Sequence, residues 1–254
     1  MIKFFRKIRQ RLLSENKFSK YLLYAIGEVV LVVIGILIAL NLNTNSENKK
    51  LVVQEIKILK EIKNELFVAL NDVKEDFEGY KRNLTSAKII YNSILHKESY
   101  NDSLKVHYFL LFDEERFLAS QSAFESLKSV GLEIISNDLI RDDIVTVYLY
   151  INEAINDKRV SKTINELATL LRPHIKIDRD RLLSDTKNTW LNLREIPFKF
   201  NNYKSVLDDE NFLYALMSSI KERQLQVYLY GRYERGLENY ISNIEKEIKS
   251  LENK

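Results

Sequence analysis

The sequence predicts an all-α protein: an N-terminal transmembrane helix followed by an elongated antiparallel helical bundle with two long helices. Three observations carry that expectation. Only 6 Gly and 2 Pro punctuate 254 residues, too few for a fold made of many short strands and turns. Leu22–Leu40 is an apolar run holding one ionisable side chain, Glu28. Two further stretches, one opening at Val52 and one closing at Leu251, carry apolar residues in alternating steps of four and three.

Composition removes several function classes. With Cys 0, there is no disulfide framework, no Cys-based zinc site and no thiol chemistry. The formal net charge is +3, but it is unevenly placed. Residues 1–20 hold Lys3, Arg6, Lys7, Arg9, Arg11, Lys17 and Lys20 against the single acid Glu15, so the remainder is close to neutral. A nucleic-acid-binding domain spreads its basic groups over the folded body, so no nucleic-acid partner is expected.

The first element is a basic amphipathic arm, 1–20. Ile2, Phe5, Ile8, Leu12 and Leu13 form one helical stripe, with Lys3, Arg6, Lys7, Arg9 and Arg11 around it. Such a segment lies in the interface plane with its cations near anionic lipid head groups, so these five residues are the expected membrane-surface contacts.

The second element, 21–42, is the transmembrane signal-anchor. The nineteen residues Leu22–Leu40 cover roughly 28 Å as a helix, close to the hydrocarbon thickness of a bilayer. A buried core helix is seldom apolar all round. A cleaved signal peptide would have a shorter apolar run and small residues at its end, where this chain reads Ala39-Leu40-Asn41-Leu42-Asn43. Basic residues before the span, with no comparable excess after it, place the N-terminus in the cytoplasm of a bacterial inner-membrane protein and 43–254 in the periplasm. Glu28 costs about 2.5–3.5 kcal/mol at the centre of a span, less near its edge. It either snorkels towards Lys20 or meets another helix. Gly27, Gly35 and Ala39, spaced by multiples of four, offer a strip where a second helix can approach closely, so Gly27, Glu28, Gly35 and Ala39 are the expected membrane-helix contacts.

The third element, 43–254, reads as the extracytoplasmic bundle. Its first seam is Val52, Ile56, Leu59, Lys63, Leu66, Leu70, Val73, Phe77, Tyr80, Leu84, Ala87, Tyr91 and Ile94, broken only by Lys63. Glu55, Lys57, Lys60, Glu61, Asn64 and Glu65 form the expected solvated face. The second seam runs from Leu213 to Leu251 with Arg223 and Glu234 as its interruptions, and Ser205 with Asp208 predicts a capping box and a helix start near 206. Similar lengths at the two ends of the domain suggest antiparallel packing.

Shorter elements lie between. Residues 96–103 read as a turn, Leu104–Phe112 as helix or strand with helix favoured, Ser122–Val130 as a helix, and Gly131 as the stop of the latter. Asn137 is the expected N-cap of a helix over Asp138–Asn156. Val160–Leu171 is a helix ended by Pro173, and Asp180–Leu193 is another that carries Trp190 as a core anchor.

No chemistry-bearing motif emerges. The glycines form no G-x-G, and Gly231 and Gly236 are followed by Leu237-Glu238 where a phosphate loop needs Lys and Ser or Thr. His96, His107 and His174 are scattered. Asp178-Arg179-Asp180-Arg181 opens like a calcium loop but lacks its later Gly and Glu. Asp113-Glu114-Glu115 reads as partners for Arg116 or a solvated turn, and Arg223, Tyr228, Tyr230, Arg232, Tyr233 and Arg235 as core with a solvated rim. No cofactor and no enzymatic activity are expected.

Residues 1–40, with the basic arm and the Gly27-Glu28 pair inside the span, resemble the N-terminal signature of an uncharacterised family of bacterial single-pass membrane proteins, a domain of unknown function. Ser122–Gly131 followed by Ile135-Ser136-Asn137 extends the resemblance into the body. The chain departs from that family after the span, where Asn41–Glu47 lacks the usual Trp. The resemblance implies location and architecture, not activity. The expected role is a membrane-anchored interaction or scaffold protein, with the lipid bilayer and an envelope protein or a second copy as partners. The alternative is a ligand-sensing bundle that signals through a partner membrane protein.

Overall fold

The computed structural model describes residues 18–177 and 198–253. The arm cations Lys3, Arg6, Lys7, Arg9 and Arg11, the segment 178–181 and the helix expected over Asp180–Leu193 with Trp190 lie outside the described residues. Internal contacts divide the chain into two units, Met1–Glu55 and Ile56–Lys254. Among the described residues the chain is all-α apart from one two-stranded sheet.

Helix α1 runs from Phe18 to Leu95. The Asn-rich stretch after Leu40 has no Gly or Pro to stop a helix, and its polar side chains bond along the helix itself. Thr44 donates to the Leu40 carbonyl at 2.9 Å, and Asn43 and Asn45 pair with Glu47 and Asn41. In the first unit the apolar surface of α1 is open: Leu31 is 73% exposed, and Val29, Ile34, Leu37 and Leu40 are all half or more exposed. Among the described residues, one helix is long and apolar enough to cross a membrane, and it is this one.

The second unit is framed by residues 56–95 of α1 and by α7, Glu210–Glu252. They run antiparallel: Lys60 pairs with Glu252 at 2.7 Å, and fourteen residues further along α1 Lys74 pairs with Glu238, fourteen residues back along α7, also at 2.7 Å. Between them come α2 (Asp102–Leu110), α3 (Ser122–Val130), α4 (Asp138–Asn156), α5 (Arg159–Leu171), the strands β1 (Ile175–Ile177) and β2 (Phe198–Phe200), and the short α6 (Tyr203–Leu207). Helix α3 stops at Gly131, whose φ of +109° excludes most side chains. Asn137 caps α4, accepting from the amides of Leu139 and Ile140, while its own amide group donates to Glu247 on α7 at 2.7 Å.

The buried seam of α1 is Leu59, Ile62, Leu66, Ala69, Val73, Asp76, Tyr80, Asn83, Ala87, Ile90 and Ile94. Leu59, Leu66, Val73, Tyr80, Ala87 and Ile94 match the sequence expectation, and the expected Leu70 is buried beside Ala69; elsewhere the seam is displaced by one residue, so that Asp76 and Asn83 point inwards and Phe77 and Leu84 are half-buried. Helix α7 shows the same displacement, burying Phe212, Ser219 and Gln226 in place of Leu213, Ile220 and Val227. Arg223, expected as an interruption, is fully buried. Two residues of the expected solvated face also differ: Glu55 is 2% exposed, and Glu65 is hydrogen-bonded into the interior.

Helix α7 begins at Glu210 rather than near 206. Residues 203–207 form a separate turn of helix capped by Asn202, and Asp209 caps α7 by accepting from Asn211 and Phe212, both at 3.0 Å. The sheet was not expected. Its antiparallel register pairs Ile175 with Phe200 and Ile177 with Phe198, turning Phe198 onto a core of Ile90, Tyr108, Leu171 and Phe212. There Tyr108, Phe198, Phe200 and Tyr203 meet edge to face at 5.0–6.5 Å, each such contact adding about 0.5–1.5 kcal/mol beyond its buried area.

Candidate functional site

Residues 111–121, between α2 and α3, form no regular structure and cross the bundle as a strap. An extended segment over a core exposes carbonyls that no ladder satisfies, and each must find a donor. The polar seam residues supply them. Arg223 donates to the Leu111 carbonyl at 2.5 Å and to the Asp113 carbonyl at 3.4 Å, where Asn83 also donates at 3.4 Å. Tyr80 donates to the Glu115 carbonyl at 3.1 Å. Burial pulls the Arg223 guanidinium down to about 10, so it remains charged at neutral pH.

The strap is held at both margins. Phe117 is 5% exposed, and Glu65 accepts from Ser120, Ser122, the Ala123 amide and Tyr148 at 2.5–3.1 Å. Partial burial pushes Glu65 up, but the bonds from Tyr148, Ala123, Ser120 and Ser122 outweigh it and leave the carboxyl below its ordinary range. The belt continues across α5 and α7: Thr163 reaches Ser219 at 3.3 Å, Arg223 reaches Ser219 at 3.3 Å, and Gln226 donates to Asp157 at 2.6 Å. Burial also pushes Asp157 up, yet its bonds from Arg159 and Gln226 bring it to about 2. Of the strap acids, Glu115 meets Arg82 at 3.4 Å and Glu114 accepts from Ser161.

Asp76 is the costly member of this belt. It is 8% exposed, and its Oδ2 has no hydrogen-bond partner. Burial, reinforced by the carboxylates of Glu115, Asp72 and Glu75 and only partly offset by a bond from Tyr230, pushes it up to about 7. The site can therefore take up and release a proton at neutral pH inside the bundle. The Glu115 side chain lies hard against α1 at Gly79, where a Cβ would fall 2.0 Å from its Oε1; glycine is what permits that approach.

Beside the belt lies a cleft of about 360 Å³ between α1, the strap, α4 and α7. Phe117, Tyr150, Tyr233 and Tyr240 give it aromatic walls, with Glu153 and Arg232 as its charged groups. Its size falls within the range of small-molecule sites.

The three histidines stay apart. His96 meets its own helix at the Asn92 carbonyl and His107 meets Ser86. His174 lies between Ser205 (2.7 Å from Nδ1) and Asp209 (2.9 Å from Nε2), an order reminiscent of a hydrolytic triad. The Ser205 hydroxyl has a single proton and also lies 2.7 Å from the Asn202 carbonyl, and Asp209 is engaged as the α7 cap. Burial pushes Asp209 up, but the bonds from His174 and from the Phe212 and Asn211 amides hold it low. The cluster fastens β1 to the start of α7. Among the described residues no group of three or more His, Asp or Glu is placed to hold a metal ion.

Of the expected membrane-helix contacts, Gly27, Gly35 and Ala39 are exposed on α1 and Glu28 is half-buried; a Cβ at Gly27 or Gly35 would meet nothing within 4 Å. Asp76, Asn83, Arg223 and the strap were missed by sequence reasoning. The signal was present: the positions three residues after Leu59, Leu66, Val73, Tyr80 and Ala87 continue an equally regular seam, and two of them are polar. No protein family, curated protein or solved structure matches the chain.

Proposed function

We propose that the chain is a membrane-anchored helical interaction or scaffold protein of the bacterial envelope, inserted in the inner membrane by 21–42 with its N-terminus cytoplasmic and its body periplasmic. The observation that carries this reading is the fully open apolar surface of α1 in the first unit, which has no counterpart in a water-soluble helix. The excess of cations before it, with no comparable excess just after it, supports that orientation. Gly27, Glu28, Gly35 and Ala39 would then meet a partner helix, or a second copy, in the membrane. The resemblance of residues 1–40 to a single-pass family agrees with this, and the reading assigns no catalytic role.

Protease added to intact spheroplasts should digest the body and spare the arm, and alkaline carbonate should leave the chain in vesicles. A body shielded from protease, or a chain released by carbonate, would refute the placement. In vivo crosslinking of wild type against Glu28→Gln tests the partner contact: an unchanged set of crosslinked partners would remove it. The aromatic cleft beside the strap favours a second reading, a ligand-sensing bundle acting through a partner membrane protein. A thermal-shift screen without a small-molecule hit would count against that alternative.

A further inference from the structure

We propose that Asp76 is a buried proton-binding site that governs the seating of the strap: protonated while the strap is closed over α1 and α7, and on ionisation releasing Glu115 and the segment around it. The Tyr80 hydroxyl proton is committed to the Glu115 carbonyl, 3.1 Å away, and its ring packs 4.8 Å from that of Tyr230. Asp76, 8% exposed, leaves Oδ2 without a hydrogen-bond partner. Protonated, that carboxyl is a neutral group in the interior. Ionised, it is an anion with an unpartnered oxygen there, facing a strap that presents another carboxylate, Glu115, against the same helix at Gly79.

The groups facing Asp76 decide what yields. From its own helix they are Asp72, Glu75 and Tyr80; from the strap, Glu115; from α7, Tyr230. No cation is among them. Arg82 is engaged with Glu115, and Arg223 with the strap carbonyls and Ser219. Asp72 and Glu75 are fixed on a regular helix. Glu115 is on an irregular segment, and its side chain lies against α1 in the gap left by Gly79, beside Arg82. Repulsion between two carboxylates in a water-poor setting therefore moves the strap, the element with the fewest backbone bonds to lose. Phe117 travels with it, and Phe117 is a wall of the aromatic cleft, so proton release also opens that cleft. None of this depends on where the chain sits in the cell.

Hydroxyl-radical footprinting of the full chain in detergent micelles tests the proposal. Modification of Phe117, 5% exposed on the closed strap, is followed from pH 5.5 to 8.5, with the fully buried Phe212 of α7 as the internal control. In wild type, Phe117 labelling should rise about tenfold per pH unit above neutrality until the open strap predominates while Phe212 is unchanged, as release of one proton requires. Asp76→Asn, a neutral mimic of the protonated acid, should keep Phe117 shielded throughout. Glu115→Gln, which keeps the buried aspartate but removes its strap-borne neighbour, should move the transition to higher pH. Phe117 labelling independent of pH in wild type, the same pH dependence in Asp76→Asn, or Phe212 becoming labelled together with Phe117 would each overturn the proposal.

Discussion

Replacing Arg223 by Met tests whether the polar belt exists to serve the strap. The side chain is fully buried, so the substitution nearly conserves apolar volume while removing every donor. The Leu111 carbonyl loses a bond of 2.5 Å, and the Asp113 carbonyl loses one of its two partners but keeps Asn83. One orphaned buried carbonyl costs about 1–3 kcal/mol, and the weakened second site adds part of that again. Against this stands the relief of no longer burying a guanidinium, which in some proteins makes the apolar variant the more stable one. Arg223 has no carboxylate partner to leave stranded; its acceptors are neutral, so the orphaned carbonyls should dominate and the net loss should be about 2–4 kcal/mol. Urea unfolding of the full chain in mild detergent, followed by far-ultraviolet circular dichroism, measures it. Arg223→Lys keeps the charge but lacks the planar fork that spans two carbonyls, and should recover less than half. If Arg223→Met were as stable as wild type, the carbonyls would not need this donor and the explanation of the seam would fail.

Four further outcomes are expected. Asp76 is raised from 3.8 to about 7, so the folded state holds a proton that the unfolded chain has lost across that window, and stability should fall with rising pH by up to about 4 kcal/mol, a slope that Asp76→Asn abolishes in pH-resolved urea melts. Glu65 and Asp157 are lowered and act in the opposite sense, their stabilisation present above the ordinary carboxylate range and lost as pH falls through their folded values, so the maximum should lie on the acidic side of neutrality. Gly131→Ala forces a side chain to φ +109° and should cost about 1–3 kcal/mol in thermal or urea melts. Asp209→Ala removes the cap of α7 and the acceptor of His174, for an expected loss of about 1–2 kcal/mol by the same measurement.

Much of the fold was legible because most of its signals are local. Ser122–Val130, its Gly131 stop, and Asp138–Asn156 with its Asn137 cap come out at the expected boundaries, since a cap and an apolar stripe act within one or two turns. The start of α7 was misplaced because Ser205 with Asp208 imitates a capping box, while Asp209 binds two amides and a histidine at once. The three-residue strands are too short to show a period. The seam failed for a different reason. Phe77 and Leu84 are the better apolar residues, and a reading that rewards apolarity selects them over Asp76 and Asn83. What reverses the choice is the demand of unpaired carbonyls in residues 111–121, a long-range contact; the pattern of α1 offers two equally regular seams and does not choose between them.

That demand also bears on why two long heptad-spaced helices settle in one register. Each seam repeats every seven residues, so sliding α7 by one heptad along α1 would still bring Leu and Ile largely against Leu and Ile, at little cost in buried apolar area. The same slide carries Arg223 about 10 Å from the carbonyls it serves. It would also part Tyr230 from Tyr80, whose rings now lie 4.8 Å apart, and separate Lys74 from Glu238. The exposed ion pair is worth at most about 1 kcal/mol, so it does little to discriminate. The buried belt discriminates more strongly, because every displaced donor leaves a carbonyl bare as well as losing its own bond. Polar residues that weaken each helix as an apolar surface thus define the pairing, and the strap links that pairing to the protonation of one buried carboxyl.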